Sequence, residues 1–159
     1  MKHLHRRTIN SLLILFGIFF LANQELLAHC EVPCGIYGDS VRISLVKEHI
    51  TTIEKSMTQI NELAKAENPN YNQLVRWVVN KEEHAKKVQD IVSQYFLHQR
   101  IKLVDPDSGE AYKKYQQHLE LLHSLLVYSM KCKQTTDLEF IEKLRSTVSA
   151  FEKAYFHKH

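Results

Sequence analysis

The chain has 159 residues, with 21 Lys and Arg against 18 Asp and Glu, four Gly, three Pro and three Cys. That length suits one domain with one core, and so little turn material excludes a many-stranded β fold while plentiful Leu, Lys, Glu and Gln favours helices. A formal net charge of +3 lacks the clear basic excess that marks a nucleic-acid binder.

Residues 1–28 have the layout of a cleaved secretory leader and are set aside from fold reasoning. Lys2, Arg6 and Arg7 make a basic start, residues 12–22 are an almost unbroken apolar run, and a short, more polar stretch ends at the small residue Ala28. The apolar run is shorter than the roughly 20 residues a bilayer span requires. Cleavage between Ala28 and His29 is therefore expected, giving an exported protein, periplasmic or secreted, with no stable membrane anchor. Arg6-Arg7 leaves a twin-arginine route open. Cleavage takes away three of the 21 Lys and Arg and one of the 18 Asp and Glu, leaving 131 residues with 18 basic against 17 acidic side chains. Such a balance points to a small substrate or a protein partner, with no nucleic acid.

The new terminus reads His29-Cys30-Glu31-Val32-Pro33-Cys34-Gly35-Ile36-Tyr37. In an exported protein a Cys30–Cys34 disulfide is the ordinary expectation, and an odd cysteine count leaves one thiol over. That leftover is Cys132, in a Lys-Cys-Lys setting near a helix end. The competing reading is a metal site. His29 would offer a free α-amine and an imidazole, Cys30 a backbone nitrogen and a thiolate, and Cys34 a second thiolate. Amine, deprotonated amide and two thiolates fit one plane with the imidazole axial, a set that suits Ni(II) or Cu(II), whereas zinc prefers a closed tetrahedron. Sulfur and amidate donors also stabilise a higher oxidation state. A nickel ion so held can alternate between Ni(II) and Ni(III), oxidising one superoxide to dioxygen and reducing a second, with two protons, to hydrogen peroxide. Pro33 and Gly35 let the segment fold back on itself, one fixing φ and the other freeing it.

Four helical segments follow. Ile43, Val46, Ile50, Ile53, Met57, Ile60 and Ala64 form one apolar stripe, on a helix capped by Asp39 or Ser40 and ended by Asn68-Pro69-Asn70. A second helix, from residue 71 to about 98, carries Leu74, Trp77, Val78, Ala85, Val88, Ile91, Val92 and Tyr95, and the cluster Asp105-Pro106-Asp107-Ser108-Gly109 closes it off. The third, about 110–131, presents Tyr112, Tyr115, Leu119, Leu122, Leu126 and Met130. Thr136 and Glu139 make a capping-box pattern for a fourth, with Leu138, Ile141, Leu144, Val148, Phe151 and Tyr155. Short connections between long helices predict an all-α, antiparallel up-and-down four-helix bundle over residues 38–159, preceded by the metal-binding hook at 29–37.

The string from His29 to Tyr37 resembles the N-terminal nickel hook of the nickel superoxide dismutases, His-Cys-x-x-Pro-Cys-Gly-x-Tyr at the mature terminus, in all six fixed positions. Leu74-Val75-Arg76-Trp77 and Lys81-Glu82-Glu83-His84-Ala85 are similar to that family's second helix, so the likeness covers residues 29–159. The resemblance implies a four-helix bundle, one nickel ion per subunit, superoxide as substrate and assembly as a homohexamer. It implies that His29 supplies amine and axial imidazole, Cys30 amide nitrogen and thiolate, and Cys34 the second thiolate. Tyr37 is implied as a gate and hydrogen-bond donor over the open face rather than a ligand. In the family a carboxylate early in the first helix and a basic group in the second hold the axial imidazole. The counterparts here are Ser44 and His84, with Glu48 one helical turn beyond Ser44 able to supply a carboxylate. Such partners set a ligand's orientation and tautomer, not the identity of the metal.

Two other classes compete with a dismutase. An exported metal carrier or sensor would use the same terminus without consuming superoxide, and a purely structural bundle would hold a Cys30–Cys34 disulfide that a free-thiol count reveals. Glu120-Leu121-Leu122-His123 has the Glu-x-x-His spacing of di-iron bundles, but those sites need two such pairs and the chain has one, so a surface pair is expected. His98, His118, His157 and His159 are expected to be solvated.

Overall fold

The computed structural model describes residues 37–156. Four helices carry the fold: α1 (Asp39–Ala64), α2 (Tyr71–Asp90), α3 (Glu110–Gln134) and α4 (Glu139–Phe156). From Ile91 to Arg100 the second helix continues in the wider π form, closed by a bond from Ile101 N to Phe96 O at 2.9 Å. The segment 29–37 expected to bind metal lies outside the described residues apart from Tyr37, as does the leader.

Cross-helix pairs fix the topology. Lys47 with Glu152 and Glu54 with Arg145 run α1 against α4, while His49 with His84 and Ser56 with Asn80 run it against α2. Lys81 with the Lys133 carbonyl and Gln89 with the Leu126 carbonyl run α2 against α3, and Tyr128 with Phe140 and His118 with Phe151 run α3 against α4. In every pair the numbers rise on one helix as they fall on the other. This is the up-and-down antiparallel bundle that the four stripes and short connections predict.

Each connection has a local cause. The Asn70 side chain accepts from Gln73 N at 3.2 Å and caps α2. Asp105 Oδ1 accepts from Asp107 N at 2.9 Å, an Asx turn, and Gly109, with φ +60°, enters α3 in a backbone region that side chains rarely adopt. The α1 start at Asp39 is as expected, but two expected caps differ. No capping box forms at Thr136; Asp137 Oδ1 instead accepts from Glu139 N at 2.9 Å, and α4 begins at Glu139. Nor does Asp39 or Ser40 cap α1. Gly38, which has no side chain to cap with, is the cap residue, and the Asp39 carboxylate is taken up by Tyr95, Arg100 and Tyr155.

The core contains Ile43, Val46, Ile50, Ile53 and Met57 of α1, Ala85 and Val88 of α2, Val92, Tyr95 and Phe96 of the π stretch, and Ile141, Leu144, Val148 and Phe151 of α4. On α3 the buried row is His118, Leu122, Leu125, Ser129 and Cys132, one row over from the expected one, and Met130 is exposed. Polar atoms at His118 and Ser129 disguise that row, while the neighbouring Tyr and Leu look more apolar. Ala64, Val78 and Leu138, expected in the core, are also exposed.

Candidate metal centre

The point where the 29–36 segment joins the bundle is built around one carboxylate. Asp39, in the first turn of α1, accepts from Arg100 Nε at 2.9 Å and Tyr95 Oη at 2.6 Å on Oδ1. Its Oδ2 accepts from Arg100 Nη2 at 2.7 Å and Tyr155 Oη at 2.9 Å. Tyr95 Oη in turn accepts from Gly38 N at 2.9 Å. A carboxylate at a helix start is also favoured by the helix dipole. Tyr95 and Arg100 are five residues apart. In an α-helix that spacing points side chains to different sides, whereas the i to i+5 repeat of a π-helix stacks them one turn apart, so the π form delivers both to Asp39.

This network seats Tyr37. The Arg100 guanidinium lies 4.1 Å over the Tyr37 ring, a cation–π contact, and the Tyr95 ring meets Tyr37 edge-on at 6.5 Å. Arg42 covers the Tyr95 ring at 5.0 Å. Tyr37 remains half exposed, so its ring is fixed while its open side faces solvent. Burial alone would raise the Asp39 pKa, but hydrogen bonds from Arg100, Tyr95 and Tyr155 outweigh it and hold the carboxyl below the ordinary range. Burial and the Asp39 bond push the Tyr95 phenol up, and the Tyr155 phenol to about 12; both stay protonated as donors. The Arg100 pKa is raised by its Asp39 bonds.

A second group of titratable side chains sits further along α1 and α2. His84 Nδ1 is 3.2 Å from His49 Nδ1, and the negative charge of Glu48 acts on both rings. Ser44 and Glu48 are on the exposed side of α1. Of the three counterparts named for holding an axial imidazole, His84 and Glu48 thus share a neighbourhood, and His49 joins them. Glu120 and His123 are exposed, a surface pair as expected. His118 is not solvated: it is buried against Phe151 and Tyr155. Cys132 is a buried free thiol whose pKa burial pushes up to about 11. His29, Cys30, Cys34, His157 and His159 lie outside the described residues.

A family model for the nickel-containing superoxide dismutases matches residues 24–159. The chain belongs to this family. It is accordingly an oxidoreductase that removes superoxide with a nickel cofactor. No curated protein and no solved structure matches the chain. The matched residues take in His29, Cys30, Cys34 and Tyr37, and two thiols beside an imidazole are a donor set that fits nickel. Among the described residues no group of three or more His, Cys, Asp or Glu could hold a metal ion.

Sequence reading missed Arg100, Tyr155 and His49 as partners near the site and gave Asp39 the wrong task. Tyr95 and Tyr155 read as core because their rings are apolar. The available signal was a first-turn Asp together with phenols and an Arg at the far ends of two other helices.

Proposed function

We propose that nickel is held at an amino terminus created by cleavage behind Ala28, with the amine and imidazole of His29, the amide nitrogen and thiolate of Cys30, and the thiolate of Cys34. The observation that carries this reading is the seating of Tyr37: three residues after Cys34, the chain is pinned to the bundle by Arg100 stacking and by the Gly38–Tyr95–Asp39 bonds. A metal segment ending there has one fixed end and a short reach. Nickel supplies the one-electron cycle between Ni(II) and Ni(III) that disproportionates superoxide.

The protein's own residues do the rest. Tyr37 would act as a gate beside the bound metal, its hydroxyl able to donate to the small anion and its ring able to exclude bulkier molecules. With Arg100 balanced by Asp39, Arg42 leaves a net positive charge on this side, which draws an anionic substrate and acts most strongly at low ionic strength. Asp39 positions Tyr37 through Arg100. The leader directs export to the periplasm or the medium, and the bundles assemble as a homohexamer, a reading supported by family likeness.

The test is the metal and sulfur content of the active protein. One nickel per chain, with two sulfurs in its X-ray absorption spectrum, is expected, and Cys30→Ser or Cys34→Ser should each abolish nickel retention and turnover. Full turnover in the Cys34→Ser protein, or active protein carrying only iron or manganese, overturns the assignment.

A further inference from the structure

The first half of α2 carries a row of apolar side chains that the bundle leaves uncovered. Lys81 Nζ donates to the Lys133 carbonyl at 2.8 Å and to the Thr135 carbonyl at 3.4 Å, which sets the end of α3, at Gln134, level with Lys81. From there the chain crosses to α1, where Asn61 Nδ2 donates to the Thr136 carbonyl at 3.1 Å. Residues 71–80 of α2 therefore stand past the end of α3. On one side α1 holds them, through Lys55 over Trp77 and through Asn80 on Ser56. Tyr71, Val75, Val78 and Val79 lie at i, i+4, i+7 and i+8, one helical face, and are 72, 62, 40 and 49% exposed. Single exposed apolar residues are ordinary. Four in one row, led by a tyrosine, mark a contact surface.

We propose, resting on the reading of the protein as a homo-oligomer, that this face is where two copies of the chain meet, α2 against α2 and turned end for end. The charges beside the row decide the occupant. Arg76 and Glu83 are seven positions apart, so they fall on the same edge of the helix two turns from one another. Both are exposed, and neither has a salt bridge among the described residues. A two-fold axis across α2 sets Val75 of each chain near the partner's Val79 and directs each Arg76 toward the partner's Glu83. The same patch then serves both copies and the contact closes on itself. A copy laid parallel would instead bring like charges together. A strongly acidic or strongly basic partner would gain from one of the two charges and lose by the other. One Arg beside a Glu also lacks the basic cluster by which an anionic membrane is recognised. The apolar row supplies the affinity of the contact, and the exposed ion pairs at its edge supply chiefly its register.

Sedimentation equilibrium of the nickel-loaded protein beginning at His29 tests this, with far-UV circular dichroism checking that each variant keeps its helices. Val79→Asp puts an unpaired carboxylate in the apolar centre of the contact and should raise the concentration of half-dissociation at least about tenfold. Arg76→Glu and Glu83→Arg should each weaken association, and the two together should restore it, a rescue that misfolding would not give. Association as tight in Val79→Asp as in the parent overturns the proposal, as does a double swap no tighter than either single change. A parent that stays monomeric up to about 1 mM overturns it too, and binding of that monomer to phosphatidylcholine vesicles would give the row to a membrane instead. The six-chain reading fails separately. A parent dimer that Val79→Asp splits keeps this face and contradicts the hexamer, whereas a hexamer that Val79→Asp leaves whole keeps the hexamer and overturns this face.

Discussion

Replacing Asp39 by Ala removes the acceptor on which four hydrogen bonds from Arg100, Tyr95 and Tyr155 converge. Bonds to a charged group contribute about 1.5–3 kcal/mol each but are not additive, and stranding one partner of a buried ion pair costs about 3–5 kcal/mol. The side chains of Asp39 and Arg100 are 15% and 25% exposed, so water partly rescues the stranded guanidinium and the lower end applies, about 3 kcal/mol. A domain of this size loses about 3–5 °C per kcal/mol, so Tm should fall about 10–15 °C. Asp39→Asn keeps an acceptor without the charge and should fall by a smaller amount. The pH dependence separates charge from packing. With its folded pKa depressed, Asp39 contributes stability that is complete above the unfolded value near about 4 and is lost as pH falls through the folded value. Below about pH 4 the wild-type advantage over Asp39→Asn should therefore shrink. The assay is thermal unfolding followed at 222 nm at fixed protein concentration from pH 7 to pH 3. A change in Asp39→Ala smaller than about 0.5 kcal/mol, the range of ordinary surface substitutions, would refute the view that this carboxylate anchors the hook end of the bundle.

Tyr37→Phe should keep nickel and the bundle, because ring stacking on Arg100 survives, while saturation behaviour or sensitivity to small anions changes; loss of nickel would place the phenol among the ligands. His118 is held neutral, chiefly by burial, so it contributes stability that is full above the unfolded pKa near about 6.5 and is lost as pH falls below it. His118→Phe should flatten the decline in Tm between pH 7 and pH 5, and an unchanged slope would show that His118 is not protonated there.

The bundle was legible in the sequence because its signal is additive: on α1 and α4 the apolar rows repeat over several turns, and the buried polar residues Ser56 and Thr147 each sit beside an apolar member of the row. On α3 the same logic slipped by a row, since His118 and Ser129 are buried polar residues and hydrophobicity cannot mark them. The family was legible for a different reason, a short string in which nearly every residue is a donor or a turn former. What could not be read was the support for that string. Asp39 looks like a helix cap until α1 is seen to start beside the ends of two other helices. Arg100 falls into place beside Tyr95 only if the second helix widens, and a period of 3.6 does not anticipate that. His49 has no signal at all until α1 and α2 are packed antiparallel and bring it to His84.

In the proposed centre nickel is bound by the amine of His29, which would exist only after cleavage behind Ala28. A peptide nitrogen is a far poorer donor than an amine, and a preceding residue would occupy space beside the metal. The most direct measurement compares dismutase rates of two nickel-supplied proteins, one beginning at His29 and one with a single additional Ala before it. Full activity is expected for the first and little or none for the second, with the helices folded in both. Equal rates would contradict it, because the amine would then not be a ligand.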